Sequence, residues 1–259
     1  MKLALLTGCG HTGTTILARM LGAHSKIYNP PFETNIFLAY NVLKCRAMLD
    51  DEMSKARREK PQSELLLEKT PRHIWHVDYV RRILPATRFV LMTRDGRDVI
   101  ASLYARTNDL PGSIRRYKDD SLLTIRQLDG AFTTLVRYEE LIDKPEKELA
   151  RILAFLDYEW EPGILSYHEK PVAWFGVQGF EKGSGSEGVE HDKLRNWQVN
   201  QPLFRPSSSW SEKIPESLWG EVDDFFASTG DRIMKELGYG TSSDSGEQSP
   251  PDPTASVTS

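Results

Sequence analysis

The chain has 259 residues, 39% apolar and 27% charged, which suits one α/β domain with a sizeable core. Its formal net charge of −4 excludes the strongly basic surface that general binding to nucleic acid or anionic membrane requires. The only cysteines, Cys9 and Cys45, exclude a disulfide framework and a zinc-ligand spacing, and no apolar run has the length of a membrane span, so a soluble cytoplasmic protein is expected.

In chain order, Leu3–Leu6 reads as a buried strand that runs into Gly8-Cys9-Gly10-His11-Thr12-Gly13-Thr14-Thr15. Apolar Ile16, Leu17, Met20 and Leu21 then mark a helix from about Gly13 to Gly22. Strand, glycine-rich turn and helix start make an anion cradle: glycine lets the backbone approach a ligand, and the helix N-terminus adds N–H donors and a favourable dipole. The spacing is that of a nucleotide P-loop, with Thr14 where the lysine of the ATP/GTP motif stands. That argues against ordinary nucleoside-triphosphate chemistry and for another 5′-phosphorylated nucleotide.

A short strand at Ile27-Tyr28 and the breaker pair Pro30-Pro31 come next, then a helical pattern from Glu33 to about Arg58. Leu65–Leu67 reads as a strand ending in Glu68-Lys69-Thr70-Pro71, followed by a helix to about Leu84. Arg88–Thr93 is the clearest strand, and Arg94-Asp95-Gly96-Arg97-Asp98 leads into a helix through Val99, Ile100 and Leu103. Polar residues 106–118, with Pro111-Gly112 inside, suggest a mobile flap, and residues 119–129 a helix. Thr133–Val136 is a further strand, ended by Tyr138, and Glu146–Phe155 a helix.

The stretch 158–213 has no clear periodicity and carries four tryptophans, a possible acceptor wall or simply a second core. A last helix spans about Pro215 to Leu237. One domain over residues 1–240 is expected, with a disordered acidic Ser/Pro-rich tail over 241–259. Strands alternating with helices predict a three-layer α/β/α fold around a mostly parallel sheet of the P-loop nucleotide type, with ligand groups gathered at the carboxyl ends of the strands.

Between Lys69 and Arg97 there are seven Lys/Arg against two Asp, a basic segment inside an acidic protein. Arg94 with Ser102, eight residues on, can bind a phosphate distinct from the one in the cradle. A structural pairing of Arg94 with Asp95 or Asp98 is the other reading.

Gly8–Thr15 followed by Phe89–Ser102 resembles the two nucleotide-binding motifs of sulfotransferases that use 3′-phosphoadenosine-5′-phosphosulfate (PAPS). Glu68–Pro71 and Val136–Leu141 resemble further segments of that family, and the likeness covers about residues 2–156. It implies that Gly8, Cys9, Gly10, His11, Thr12, Gly13, Thr14 and Thr15 hold the 5′-phosphosulfate and that Arg94 and Ser102 hold the 3′-phosphate. Many relatives carry Arg or Lys at the position of His11, so His11 is a departure; protonated, it can steady the phosphosulfate.

The likeness to tyrosylprotein sulfotransferases implies Lys69 as the cation on the transferring group and Glu33, of Glu33-Thr34, as general base, although its spacing from the cradle is one residue longer. A helix-starting glutamate favoured by the dipole is the plainer reading of Glu33, and His24 and His73 are fallback bases. Tyr138 is placed near the nucleotide. Arg195-Asn196-Trp197 resembles the segment that closes over it, which puts Arg195 at the 3′-phosphate. The implied reaction is in-line sulfuryl transfer from PAPS, without metal, to a hydroxyl or amine of a small molecule, carbohydrate or peptide. An ATP-dependent phosphotransferase and a non-catalytic nucleotide-binding protein with a relict site are the alternatives.

Overall fold

A computed structural model describes residues 1–128, 130–174, 176–184, 188–203 and 209–240. The tail expected over 241–259 lies outside these residues. Five strands, β1 (Lys2–Gly8), β2 (Ile27–Tyr28), β3 (Leu65–Lys69), β4 (Arg88–Thr93) and β5 (Thr133–Arg137), form one sheet in the order β2-β3-β1-β4-β5, and every pairing is parallel. The helices are α1 (Thr14–Gly22), α2 (Val42–Glu59), α3 (Val77–Ile83), α4 (Gly96–Thr107), α5 (Leu110–Arg126), α6 (Tyr138–Asp143), α7 (Pro145–Phe155), α8 (Gly188–Gln198), α9 (Trp219–Phe226) and α10 (Thr229–Glu236).

The continuous apolar strands need both faces covered, because successive side chains point to opposite sides. Ala4, Leu6, Leu65, Leu67, Val90 and Met92 meet Leu17 and Leu21 of α1 and Leu149, Ile152 and Leu153 of α7. Leu5, Leu66, Phe89 and Leu91 face the other way, onto Cys45 and Leu49 of α2 and Val77 and Val80 of α3. A third cluster joins Cys9 to Val99 and Leu103 of α4, Tyr117 of α5 and Val222, Phe226 and Ile233 of α9 and α10. The three-layer parallel architecture is therefore as expected.

Several local expectations are corrected. Residues 33–58 are not one helix: Asn35 and Tyr40 take positive φ on either side of a 3-10 turn at Ile36–Ala39, and α2 starts only after Asn41, whose side chain accepts from the Lys44 N–H at 2.9 Å. Glu33 thus lies in a loop. Residues 106–118 are helix ends, not a flap. Asn108 ends α4 at φ 51°, and Asp109 caps α5 by accepting from the Gly112 N–H at 2.9 Å. Pro111 then sits in the first turn, where its missing N–H is not needed. Tyr138 opens α6 instead of ending a strand. The last helix is two, α9 and α10, broken at Ala227-Ser228.

Residues 158–213 contain α8, whose side-chain amides organise the segment before it. The Asn196 amide oxygen accepts from the Trp174 N–H at 2.7 Å, and Asn200 accepts from the Val172 N–H at 2.9 Å and donates to the Val172 carbonyl at 3.0 Å. Arg19 of α1 donates to the carbonyls of Tyr167 and Lys170 at 2.9 and 3.0 Å.

Lys60, just after α2, donates to the carbonyls of Gly22, His24 and Ile27 at 2.8, 2.6 and 2.8 Å, fastening the end of α1 to β2. Burial pushes its amine down to about 8. Lys60→Ala strands these acceptors and is expected to lower the unfolding free energy by about 2 kcal/mol. Lys26→Ala, which removes only the exposed pair with Glu64, is expected to change it by about 0.5 kcal/mol or less. Urea titrations of both variants check this, and equal losses would refute it.

Candidate active site

The register brings the strand ends together. Leu6 of β1 lies beside Lys69 of β3, Gly8 beside Met92 of β4, and Thr93 beside Arg137 of β5. The loop after Gly8, Lys69, Arg94 and Tyr138 therefore emerge at one edge of the sheet.

Glycine is required at both ends of the cradle. Gly8 has φ 138°, and a Cβ there would lie 2.3 Å from the Met92 carbonyl oxygen. Gly13 has φ 92°, and a Cβ would lie 2.6 Å from the Tyr138 ring. Thr12 closes the loop by donating to the Cys9 carbonyl at 2.8 Å. No side chain caps α1, so its leading N–H groups face the loop available to an anion. Cys9 is buried, and burial pushes its thiol well above the usual range, which leaves it a packing residue. His11 sits at φ 69° and hydrogen-bonds through Nδ1 to Ser102 Oγ at 2.8 Å, joining the cradle to α4.

Arg94 lies over the Tyr138 ring, 4.7 Å from its centroid, and donates through Nη2 to Asp98 Oδ2. The Asp98 pairing expected as the structural alternative is thus present. It leaves Arg94 Nε buried with no hydrogen-bond partner, an unspent donor that suits a phosphate oxygen. Tyr138 is wedged between Gly13 and Arg94, linking the two motifs.

Lys69 is fully buried and donates to Glu33 Oε1 at 3.0 Å, with its Nζ also 5.1 Å from the Trp174 ring centroid. Burial lowers its affinity for a proton; Glu33 opposes this and Arg195 adds to it. Arg195 in turn feels Glu33 and the cation of Arg106. Arg195 is thus grouped with the Glu33–Lys69 pair. The cation beside Arg94 and Asp98 is Lys213, whose amine burial pushes down, with Asp98 opposing and Arg94 adding.

Glu68 holds this pair in place from beneath. Fully buried, it accepts at Oε1 from the hydroxyls of Thr34 and Thr70 at 2.8 and 2.6 Å, and at Oε2 from His73 Nδ1–H at 2.7 Å. His73 Nε2 accepts from the Phe37 N–H at 3.2 Å, so both ring nitrogens are engaged. His24 is engaged with the Glu159 carbonyl at 3.0 Å. Neither fallback histidine is placed to act as a base.

Sequence reasoning missed Glu68, Arg106, Trp174 and Lys213. Arg106 was accessible to it, since Asp98, Ser102 and Arg106 recur every four residues on one face of α4. Trp174 and Lys213 reach the site from segments without periodicity, and Glu68 lies near the end of β3, where its burial shows only once the loop of Thr34 packs on it. Among the described residues no group of three or more His, Cys, Asp or Glu could hold a metal ion, and no helix is long and apolar enough to cross a membrane.

A model of the sulfotransferase family matches residues 34–162, which include Lys69, Arg94, Ser102 and Tyr138 but not the cradle. A putative protein-tyrosine sulfotransferase from Caenorhabditis briggsae is 25% identical over 269 residues, covering 93% of this chain and 90% of the relative. Protein-tyrosine sulfotransferase 1 of Danio rerio is 25% identical over 249 residues, covering 83% of this chain and 67% of the relative. Among solved structures, a mouse sulfotransferase complexed with PAP aligns with TM-score 0.57 at 12% identity, over 90% of this chain and 88% of that one. A sulfotransferase domain from the curacin biosynthetic pathway aligns with TM-score 0.52 at 17% identity, over 93% and 98%. These two structures share the fold.

Burial alone would raise the Glu68 carboxyl, but His73 and the two threonine hydroxyls outweigh it and hold it below the ordinary value of 4.5. Its stabilising contribution is therefore full above that value and is lost as pH falls through the lowered one. Glu68→Gln is expected to lose about 3 kcal/mol at neutral pH and to fall less steeply on acidification than wild type. Unfolding curves across acid pH check this, and parallel curves for the two proteins would reject it.

Proposed function

The chain belongs to the sulfotransferase family and is an enzyme of sulfuryl transfer; from that premise we propose that it takes the sulfuryl group from PAPS and passes it to a hydroxyl. The observation that carries this reading is the meeting, at one sheet edge, of an anion cradle, a buried lysine–carboxylate pair and an arginine with an unspent buried donor. The cradle Gly8–Thr15 would receive the 5′-phosphosulfate. Arg94, with Ser102 and Lys213, would receive the 3′-phosphate.

Lys69 lies on Glu33 at 3.0 Å. An anionic donor competes for Nζ and so releases the Glu33 carboxylate to face the acceptor. The acceptor oxygen then attacks sulfur and its proton passes to Glu33. The bond from sulfur to the bridging oxygen breaks, and the electron pair stays on the phosphate. Lys69 and the cradle N–H groups offset that developing charge in a water-poor site, an effect on the order of a few kcal/mol. Glu33 contributes on the order of 10²–10⁴-fold as base.

Named relatives that act on protein tyrosine favour a phenolic hydroxyl in a peptide as acceptor. Phe32, Tyr40 and Trp75, exposed beside or near the Glu33 loop, provide aromatic surface for it. An ATP-dependent phosphotransfer is not favoured, since Thr14 occupies the lysine position of that motif. A relict site is likewise not favoured, because Glu33 and Lys69 are paired at the cradle.

Tyrosine-containing peptides and other hydroxyl acceptors assayed with ³⁵S-labelled PAPS test the reading. Glu33→Gln and Lys69→Ala are each expected to lower kcat by on the order of 10²-fold or more, while calorimetric affinity for 3′,5′-adenosine bisphosphate (PAP) stays close to wild type in Glu33→Gln and weakens in Lys69→Ala. Unchanged turnover in both would remove these roles. Because burial holds Lys69 below the ordinary lysine range, activity is expected to fall on the alkaline side before that range is reached. Lys69→Arg, which stays charged, is expected to lose this alkaline limb. Arg94→Ala is expected to abolish the preference for PAP over AMP.

A further inference from the structure

We propose that Arg116, carried on α5 and outside the cradle's own sequence, is the cation that binds the sulfonate end of the donor; this rests on PAPS being that donor. The glycines of the cradle differ in what they answer to. Gly8 and Gly13 are required by positive φ and by close neighbours in β4 and α6. Gly10 is not among the positive-φ glycines, and the atoms nearest to a Cβ built on it all belong to Arg116: Nη2 at 2.7 Å, Cζ at 3.4 Å and Nε at 4.0 Å. The backbone at position 10 does not itself demand glycine, and an added Cβ would push aside the end of the flexible Arg116 side chain. The bare Cα of Gly10 is the seat of Arg116.

A guanidinium carries five N–H donors. Among the described residues Arg116 makes no hydrogen bond, and its ion pair with Asp120, Nε to Oδ2, spans 3.7 Å, which is attraction without a hydrogen bond. Asp120 is itself buried, and its Oδ1 accepts from the Trp75 indole at 2.7 Å. The carboxylate therefore orients Arg116 from behind and leaves its donors unspent. The loop's own residues include no lysine or arginine. Its histidine is turned onto Ser102 at 2.8 Å, and Lys69 serves the phosphate side of the breaking bond.

The planar fork of Arg116 thus lies against a loop of backbone donors with its N–H groups uncommitted, the arrangement that suits two oxygens of one tetrahedral anion. Arg116 contacts the group that is transferred, not the phosphate that stays behind. It holds the sulfonate oxygens while the acceptor oxygen bonds to sulfur, the bridging S–O pair passes to the phosphate and the acceptor proton passes to Glu33. PAPS carries this group and PAP does not, which gives the test its contrast.

Arg116→Gln, Arg116→Lys and Gly10→Ala, with melting temperatures recorded for each, are compared with wild type for PAP affinity by calorimetry and for turnover of PAPS. Arg116→Gln is expected to lower kcat/KM for PAPS by on the order of 10²-fold with PAP affinity close to wild type. Arg116→Lys is expected to recover part of that loss through charge alone. Gly10→Ala keeps the arginine but displaces it, so it is expected to shift the same two readouts in the same direction and reads the contrast should Arg116→Gln fail to fold. Wild-type turnover in Arg116→Gln would overturn the proposal, and so would equal losses for PAPS and PAP. Failure of the wild-type protein to bind either nucleotide would overturn the donor assignment beneath it, and the two failures are distinguished by the protein in which they occur.

Discussion

A lysine without solvent exposure has to be compensated where it lies, and Lys69 sets the terms for the rest of the site. Moving an ammonium out of water carries a penalty of several kcal/mol after relaxation, so its partner must be close and well oriented. Glu33 meets that need at 3.0 Å from a loop with no regular structure of its own, and the Trp174 ring centroid lies 5.1 Å from the same ammonium. The loop stays in place because Thr34 is hydrogen-bonded to Glu68, and β3 stays in register with it because Thr70 is hydrogen-bonded to the same carboxylate oxygen. One buried acid therefore fixes Glu33 and Lys69 relative to each other.

The same economy holds along the sheet edge. Tyr138 fills the space beside Gly13 and supports the Arg94 guanidinium, so a single ring sets the distance between the cradle and the second cationic motif. His11 and Ser102 make a second link across that gap. Two anion-binding stations at a fixed separation suit a ligand that is charged at both ends, and less so one with a single phosphate.

Much of this was legible in the sequence. Leu3–Leu6, Leu65–Leu67 and Phe89–Thr93 are apolar, short and bounded, and the order of strands and helices dictates a parallel sheet with its loops at one edge. What was not legible depended on left-handed residues and on side-chain caps. Asn35 and Tyr40 interrupt a pattern that periodicity carries straight through, and the stretch around Asn108 and Pro111-Gly112 looks like a loop although Asp109 makes it a helix start. Glu68 and Lys213 were hidden for another reason. A buried carboxylate and a half-buried lysine cannot be told from surface charges until the elements that enclose them are in place.

The described parts of residues 160–201 are joined to the rest of the fold through side chains. No strand pairs them to the sheet among the described residues; Asn196 and Asn200 tie their own backbone together at Trp174 and Val172, while Arg19 of α1 and the buried Trp174 and Tyr167 join them to the rest of the fold. Fastened at a few points, such a panel can be exchanged for one of different sequence as long as the fasteners persist, while strands and cradle stay untouched. Diversity of acceptors on one unchanging donor platform is what this construction permits.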